Sequence, residues 1–125
     1  MDPSSPLTAA IDIRHLRLEL GGAPILDDVS LVVNEGEYLS IVGPNGAGKT
    51  SLIRCINRVH RRWRGSISIR GIVLAAFTQR ELARLVAYVP QAGGRSSPFT
   101  VRETILMARY PHLTPFVAVG WRDQQ

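Results

Sequence analysis

Tyr38-Leu39-Ser40-Ile41-Val42-Gly43-Pro44-Asn45-Gly46-Ala47-Gly48-Lys49-Thr50 is the stretch whose reading decides the fold. Gly43, Gly48, Lys49 and Thr50 occupy the four fixed places of the pattern G-x-x-x-x-G-K-[ST], the signature of a phosphate-binding loop. The spacing has a mechanical reason. Glycines admit backbone conformations closed to residues with a Cβ, so successive N–H groups can turn inward toward phosphate oxygens. The loop then opens a helix, whose N-terminal partial positive charge favours an anion. Lys49, the only lysine among fifteen basic residues, supplies a point charge for the β- and γ-phosphates, and the Thr50 hydroxyl suits Mg²⁺. A plain glycine turn between strand and helix is the bland alternative.

The flanks have the setting that such a loop needs. The apolar run 38–42 suits a buried strand. Ser51-Leu52-Ile53-Arg54-Cys55-Ile56 continues as a helix, with Leu52, Ile56 and Val59 expected on one face. At 125 residues, 45% apolar and 20% charged, the chain has the composition of an ordinary globular domain or part of one. No apolar run approaches the ~18 residues of a membrane span. The first ten residues lack the basic and apolar regions of a secretory signal. The single cysteine, Cys55, excludes an internal disulfide and reads as a small buried residue in a reducing compartment.

The net charge of +5 is unevenly placed. No acid lies between Glu37 and Glu81, while that stretch holds eight of the basic residues, densest at Arg61-Arg62-Trp63-Arg64. Such a run fits a nucleic-acid surface, or simply a solvated helix end. Residues 16–20 alternate apolar and polar, Gly21-Gly22 turns, and residues 25–33 form a second strand-like stretch. Residues 65–71 alternate again. Thr78…Glu81 and Thr100…Glu103 are capping boxes that open short helices, the second running to about Tyr110, where Pro111 ends it. Residues 85–89 read as a strand. Alternation in the outer strands against a continuous run before the loop predicts an α/β architecture. Its core is built around strand 38–43, beside an antiparallel β-subdomain from residues 11–33 and 65–70.

Residues 25–56 resemble the start of the ATP-binding subunit of ABC transporters. AYVPQ, residues 87–91, is similar to that family's Q-loop, with Gln91 as its glutamine, and residues 99–113 resemble the following segment in importers of iron–siderophore complexes, haem and cobalamin. The order of the segments matches too. The resemblance implies an α/β fold, the P-loop NTPase core of an ABC nucleotide-binding domain with an antiparallel β-subdomain, truncated before the signature motif. Residues 1–10 would be a flexible tail and 11–125 a partial domain, with the helical subdomain beginning at 99. It implies ATP and Mg²⁺ as cofactors. Gly43, Pro44, Asn45, Gly46, Ala47, Gly48, Lys49, Thr50 and Ser51 would hold the phosphates, and Thr50 and Gln91 the Mg²⁺. Gln91 would couple water and metal to the permease. Implied partners are a transmembrane permease and a second ATP-binding subunit in a homodimer, at the cytoplasmic face of the membrane, with no nucleic acid expected.

This chain departs from that pattern in several places. The aromatic that stacks on adenine is replaced by Leu20, and losing a base–aromatic stack weakens binding by about 1–3 kcal/mol, roughly ten- to a hundredfold. The chain has no LSGGQ-like signature, no strand ending in Asp-Glu and no switch histidine. Ala92-Gly93-Gly94-Arg95 comes too early to be the signature. Phe116-Val117-Ala118-Val119 is separated from Asp123. His112 belongs to the YPHL segment, and His15 and His60 read as surface residues. Three functions follow: an ATPase subunit energising import of a metal chelate, a non-catalytic nucleotide- and permease-binding module, or a nucleic-acid-acting ABC ATPase. The YPHL segment argues against the third. The chain by itself is expected to bind nucleotide without turnover.

Overall fold

The alternation at Leu16, Leu18 and Leu20 lies in a twelve-residue strand, β1 (Ala9–Leu20), of a computed structural model that describes residues 9–91 and 98–112. The chain divides into two units, residues 1–77 and 78–125. In the first, β1 is flanked by β2 (Ala23–Asn34) and β3 (Trp63–Ile69), and β4 (Ile72–Val73) lies beyond β3. The order is β2-β1-β3-β4 and every pairing is antiparallel. This sheet is the expected β-subdomain, with β4 added at one edge. Of the expected tail, residues 1–8 lie outside the described residues, and Ala9 and Ala10 belong to β1.

The core of this unit is aliphatic. Ile13, Leu16 and Leu18 of β1, Leu26 of β2, and Ile67 and Ile69 of β3 are buried. So are Leu52 and Cys55 of α1 (Lys49–Ile56) and Leu74 of a short 3₁₀ turn. Each large aliphatic side chain buried contributes about 1.5–3 kcal/mol. The helix α1 ends at Ile56, before the Val59 expected on its face. Arg58 adopts a left-handed φ of 56°, and the Arg54 carbonyl accepts from both Val59 N (2.9 Å) and His60 N (3.1 Å), which ends the helix. Val59 therefore falls past the helix and is exposed, not on its apolar face.

A strict two-residue period would place Ile13 and His15 on one face. The buried set is instead Ile13, Leu16, Leu18, which requires one extra residue in β1. That residue is at His15, whose φ is 51°, and the register shifts there against both neighbours. β2 has its own positive-φ residue at Asp28, φ 56°. The two irregularities are tied together. His15 Nδ1 lies 2.9 Å from Asp28 Oδ1, and His15 N donates to Ser30 Oγ at 2.9 Å. On the other side of β1 the bulge drives backbone toward Gly65. A Cβ there would stand 2.6 Å from the Arg14 carbonyl oxygen and closer still to that of His15, at a φ of 97°. Only glycine fits.

In the second unit the two capping boxes form as the sequence predicts. Thr78 caps α2 (Gln79–Leu85) and Thr100 caps α3 (Val101–Met107), each accepting from the N3 amide and receiving the N3 glutamate in return. α3 stops at Met107, short of Tyr110, and a 3₁₀ turn (Tyr110–His112) follows. Arg80 donates to the Tyr110 and Pro111 carbonyls at 3.2 and 3.1 Å, and Arg84 to Pro111 at 2.6 Å. The Arg80 guanidinium also sits over the Tyr110 ring, 5.6 Å from its centroid. No helix among the described residues is long and apolar enough to cross a membrane.

Two expected strands are absent. Residues 38–43 have no ladder partner among the described residues, and Tyr38 and Val42 are about nine-tenths exposed. Residues 85–89 likewise form no strand: Leu85 completes α2, Val86 N donates to Leu82 O at 2.9 Å, and Val89 is exposed. Both runs have the unbroken apolar character of central strands, which form only with neighbours on each side. The described residues place none there.

Gly65→Ala is expected to destabilise the first unit by roughly 1–3 kcal/mol, read as a lower urea midpoint; an unchanged midpoint would mean the bulge does not press on β3. The two boxes give a pH signature. Thr78's amide and hydroxyl hold the Glu81 carboxyl below its ordinary 4.5, and Thr100 does the same for Glu103. Because the folded values are depressed, this stabilisation is present above the ordinary glutamate value and is lost as pH falls through the folded ones. Carboxyl NMR titration should place both midpoints below 4.5, and Thr78→Ala should raise that of Glu81 alone.

Candidate functional site

The loop from Gly43 to Gly48 joins the unpaired run 38–43 to α1. Ala47 N donates to the Pro44 carbonyl at 3.2 Å, closing a tight turn with Gly46 at φ 85°. Gly48 is the N-cap of α1 in the left-handed conformation, φ 86°, and no side chain caps the helix. Its first N–H groups have no intrahelical partner by construction, and no acid stands in the first turn. The positive end of the helix is thus open and uncompensated.

Gly48 has a second reason to be glycine. A Cβ at this position would lie 2.8 Å from the Ile25 carbonyl oxygen and 2.8 Å from Leu26 Cδ2. The base of the loop is seated directly on the backbone of β2. Lys49 folds back over the loop, and its Nζ donates to the Gly43 carbonyl at 2.7 Å and the Pro44 carbonyl at 2.6 Å. Thr50 is exposed and Ser51 half-buried, both in the first turn of α1; Pro44, Asn45 and Ala47 are exposed. The expected phosphate-loop residues are therefore contiguous on one structural feature. Free amides, a flexible cation and an accessible hydroxyl fit a Mg²⁺-bound polyphosphate. Among the described residues no group of three or more His, Cys, Asp or Glu side chains could hold a metal by itself.

The other expected residues are placed separately. Leu20, 40% exposed, lies at the end of β1 in an open cleft of about 430 Å³ shared with Leu18, Val59, His60 and Arg61. Gln91 is exposed at the end of an irregular segment of the second unit. Residues 92–97 and 113–125 lie outside the described residues, and with them Ala92–Arg95, Phe116–Val119 and Asp123. Burial pushes the Cys55 thiol up to about 11, so it stays neutral and unreactive.

Of the two histidines read as surface residues, His15 is exposed and His60 is not. His15 has a carboxylate partner thirteen residues away, brought there by paired bulges that no local pattern announces. His60 is half-buried, and its Nε2 is buried with no hydrogen-bond partner among the described residues.

Comparison with known proteins gives a consistent picture. The family model described as ABC transporter matches residues 26–125. The cobalamin import ATP-binding protein BtuD of Halobacterium salinarum is 39% identical over 106 residues, 85% of this chain and 27% of that protein. The hemin import ATP-binding protein HmuV of Thermobifida fusca is 40% identical over 104 residues, 83% of this chain and 37% of that one. A solved ATP-binding subunit of an ABC transporter superposes with a TM-score of 0.70 at 29% identity, over 82% of this chain and 42% of that one. The chain thus spans between a quarter and about two fifths of the length of these relatives.

Gly48→Ala should unseat the loop from β2 through both the left-handed strain and the contact with Ile25. A local destabilisation of roughly 1–3 kcal/mol would speed amide exchange at residues 52–55 by about tenfold or more. Unchanged exchange there would show that the loop is not anchored at this point.

Proposed function

This chain belongs to the ABC transporter family, and from that premise we propose that it binds MgATP as part of the ATP-binding subunit of an importer. The observation that carries the reading is Lys49, poised over an uncapped helix N-terminus with no acid in its first turn. In this reading the amides of residues 46–51 face the β-phosphate. Lys49 would leave the Gly43 and Pro44 carbonyls for the β- and γ-oxygens, and the Thr50 hydroxyl would be a ligand of Mg²⁺; the family resemblance gives Gln91 a metal- and water-coupling role. Bound MgATP supplies the phosphoryl chemistry, which relies on positioning and charge stabilisation. This chain's share is to hold and neutralise the phosphates. Turnover is the property of an assembly in which a second ATP-binding subunit completes the site.

The cargo in this reading is a metal chelate such as haem, cobalamin or an iron–siderophore complex. Its support is the importer relatives, which are hemin and cobalamin import proteins, together with residues 99–113. The permease would meet residues 91–110, where Phe99, Ile105 and Tyr110 are exposed large side chains of the kind that anchor interfaces. The subunit would then lie peripherally on the cytoplasmic face of the membrane.

Lys49→Ala removes a charge-assisted contact of about 1.5–3 kcal/mol, so the affinity for MgATP should fall roughly ten- to a hundredfold by calorimetry. Equal affinity in the parent chain and the variant would remove the loop from any nucleotide-binding role.

A further inference from the structure

Arg17 of β1 and Arg64 of β3 are direct cross-strand partners. Like charges facing each other across adjacent strands repel. Arg62, just before β3, joins them: Arg17, Glu19, Arg62 and Arg64 line one small open cleft of about 80 Å³. Leu16 and Leu18 are buried while Arg17 and Glu19 are exposed, so alternation turns this cleft toward solvent and away from the core.

The counter-charges are unevenly placed. Arg17 is ion-paired with Asp27 at 3.6 Å and Asp28 at 3.8 Å. Among the described residues Arg62 and Arg64 have no ion pair, and neither does Glu19. Arg62 and Arg64 also fall within the acid-free stretch between Glu37 and Glu81. Two guanidinium groups without an acid partner, beside a third facing one of them, make an arrangement that an external anion would stabilise. Planar, permanently charged guanidinium groups match the oxygen spacing of a phosphate better than any other side chain.

We propose that the cleft between Arg17, Arg62 and Arg64 binds a phosphate-type oxyanion, at a second anion site distinct from the loop at Gly43–Thr50. The phosphate belongs either to a soluble phosphorylated compound or to the headgroup of an anionic phospholipid. The two sources present the same chemistry to the three arginines. Glu19 at the rim limits the affinity by repelling the same anion.

The test uses the full chain carrying Lys49→Ala, so that the loop does not compete. Inorganic pyrophosphate and vesicles of phosphatidylglycerol, with phosphatidylcholine as control, are the probes at low ionic strength, where exposed charges are least screened. Pyrophosphate should shift the amides of residues 17, 62 and 64 saturably if the ligand is soluble. Retention by phosphatidylglycerol alone assigns the headgroup. Adding Arg62→Gln and Arg64→Gln should weaken the responding probe at least tenfold, and Glu19→Gln should strengthen it severalfold. No saturable response to either probe, or a response unchanged by the arginine variants, overturns the proposal. So does a sharp fall in unfolding temperature when the arginines are replaced without anion, because removal of mutual repulsion is expected to leave that temperature unchanged or higher.

Discussion

The rest of the structure depends on one backbone approach, that of Gly48 to the Ile25 carbonyl. The sheet and the phosphate loop come from separate parts of the sequence, and this is where the loop's base touches the sheet. Because no Cβ intervenes, α1 begins against β2, and Leu52 and Cys55 are buried in the unit's core. The direction in which the free amides of α1 point is therefore set by a contact that any larger residue would abolish. A loop of this kind works by orientation of backbone dipoles, so the precision of the site traces to the absence of one methyl group.

The sheet beneath it is organised by irregularity as much as by pattern. Without the extra residue at His15, Leu16 and Leu18 would turn to the solvent face and the core would lose two of its three β1 side chains. Asp28 introduces a matching irregularity in β2, and the His15–Asp28 contact links the two. The consequence reaches β3, where Gly65 gives way to the displaced carbonyls. Each change of parity is compensated by its neighbour, which keeps one aliphatic face continuous across three strands.

What was legible in the sequence follows from the range of the signal. The phosphate loop and both capping boxes are local: their partners lie within six residues, and their chemistry is written in residue type and spacing. The strands 11–33 and 65–70 were legible from alternation. The bulge at His15 was not, because a positive φ at histidine leaves no mark in composition, and its carboxylate partner lies thirteen residues away. His60 read as a surface residue because its burial depends on how the chain turns after α1. Residues 38–42 show the opposite limit. Their apolar run states a requirement for neighbours on both sides, and the described residues leave that requirement unmet. Hydropathy reports what a segment needs, and whether the need is satisfied is a property of the assembled chain.

The two hydrogen bonds from Lys49 to Gly43 and Pro44 give the loop an internal occupant. An incoming anion must replace neutral carbonyl acceptors that are already engaged, so association is an exchange reaction and its free energy is a difference. A monovalent ion such as chloride, with diffuse charge and no fixed geometry, gains little over two well-placed carbonyls. A polyphosphate carries several charges and acceptors in a row, engages the amides of α1 at the same time, and gains much more. In the proposed reading the lysine would thereby set a threshold, discriminating by multiplicity of contact before any part of the ligand beyond its phosphates is recognised.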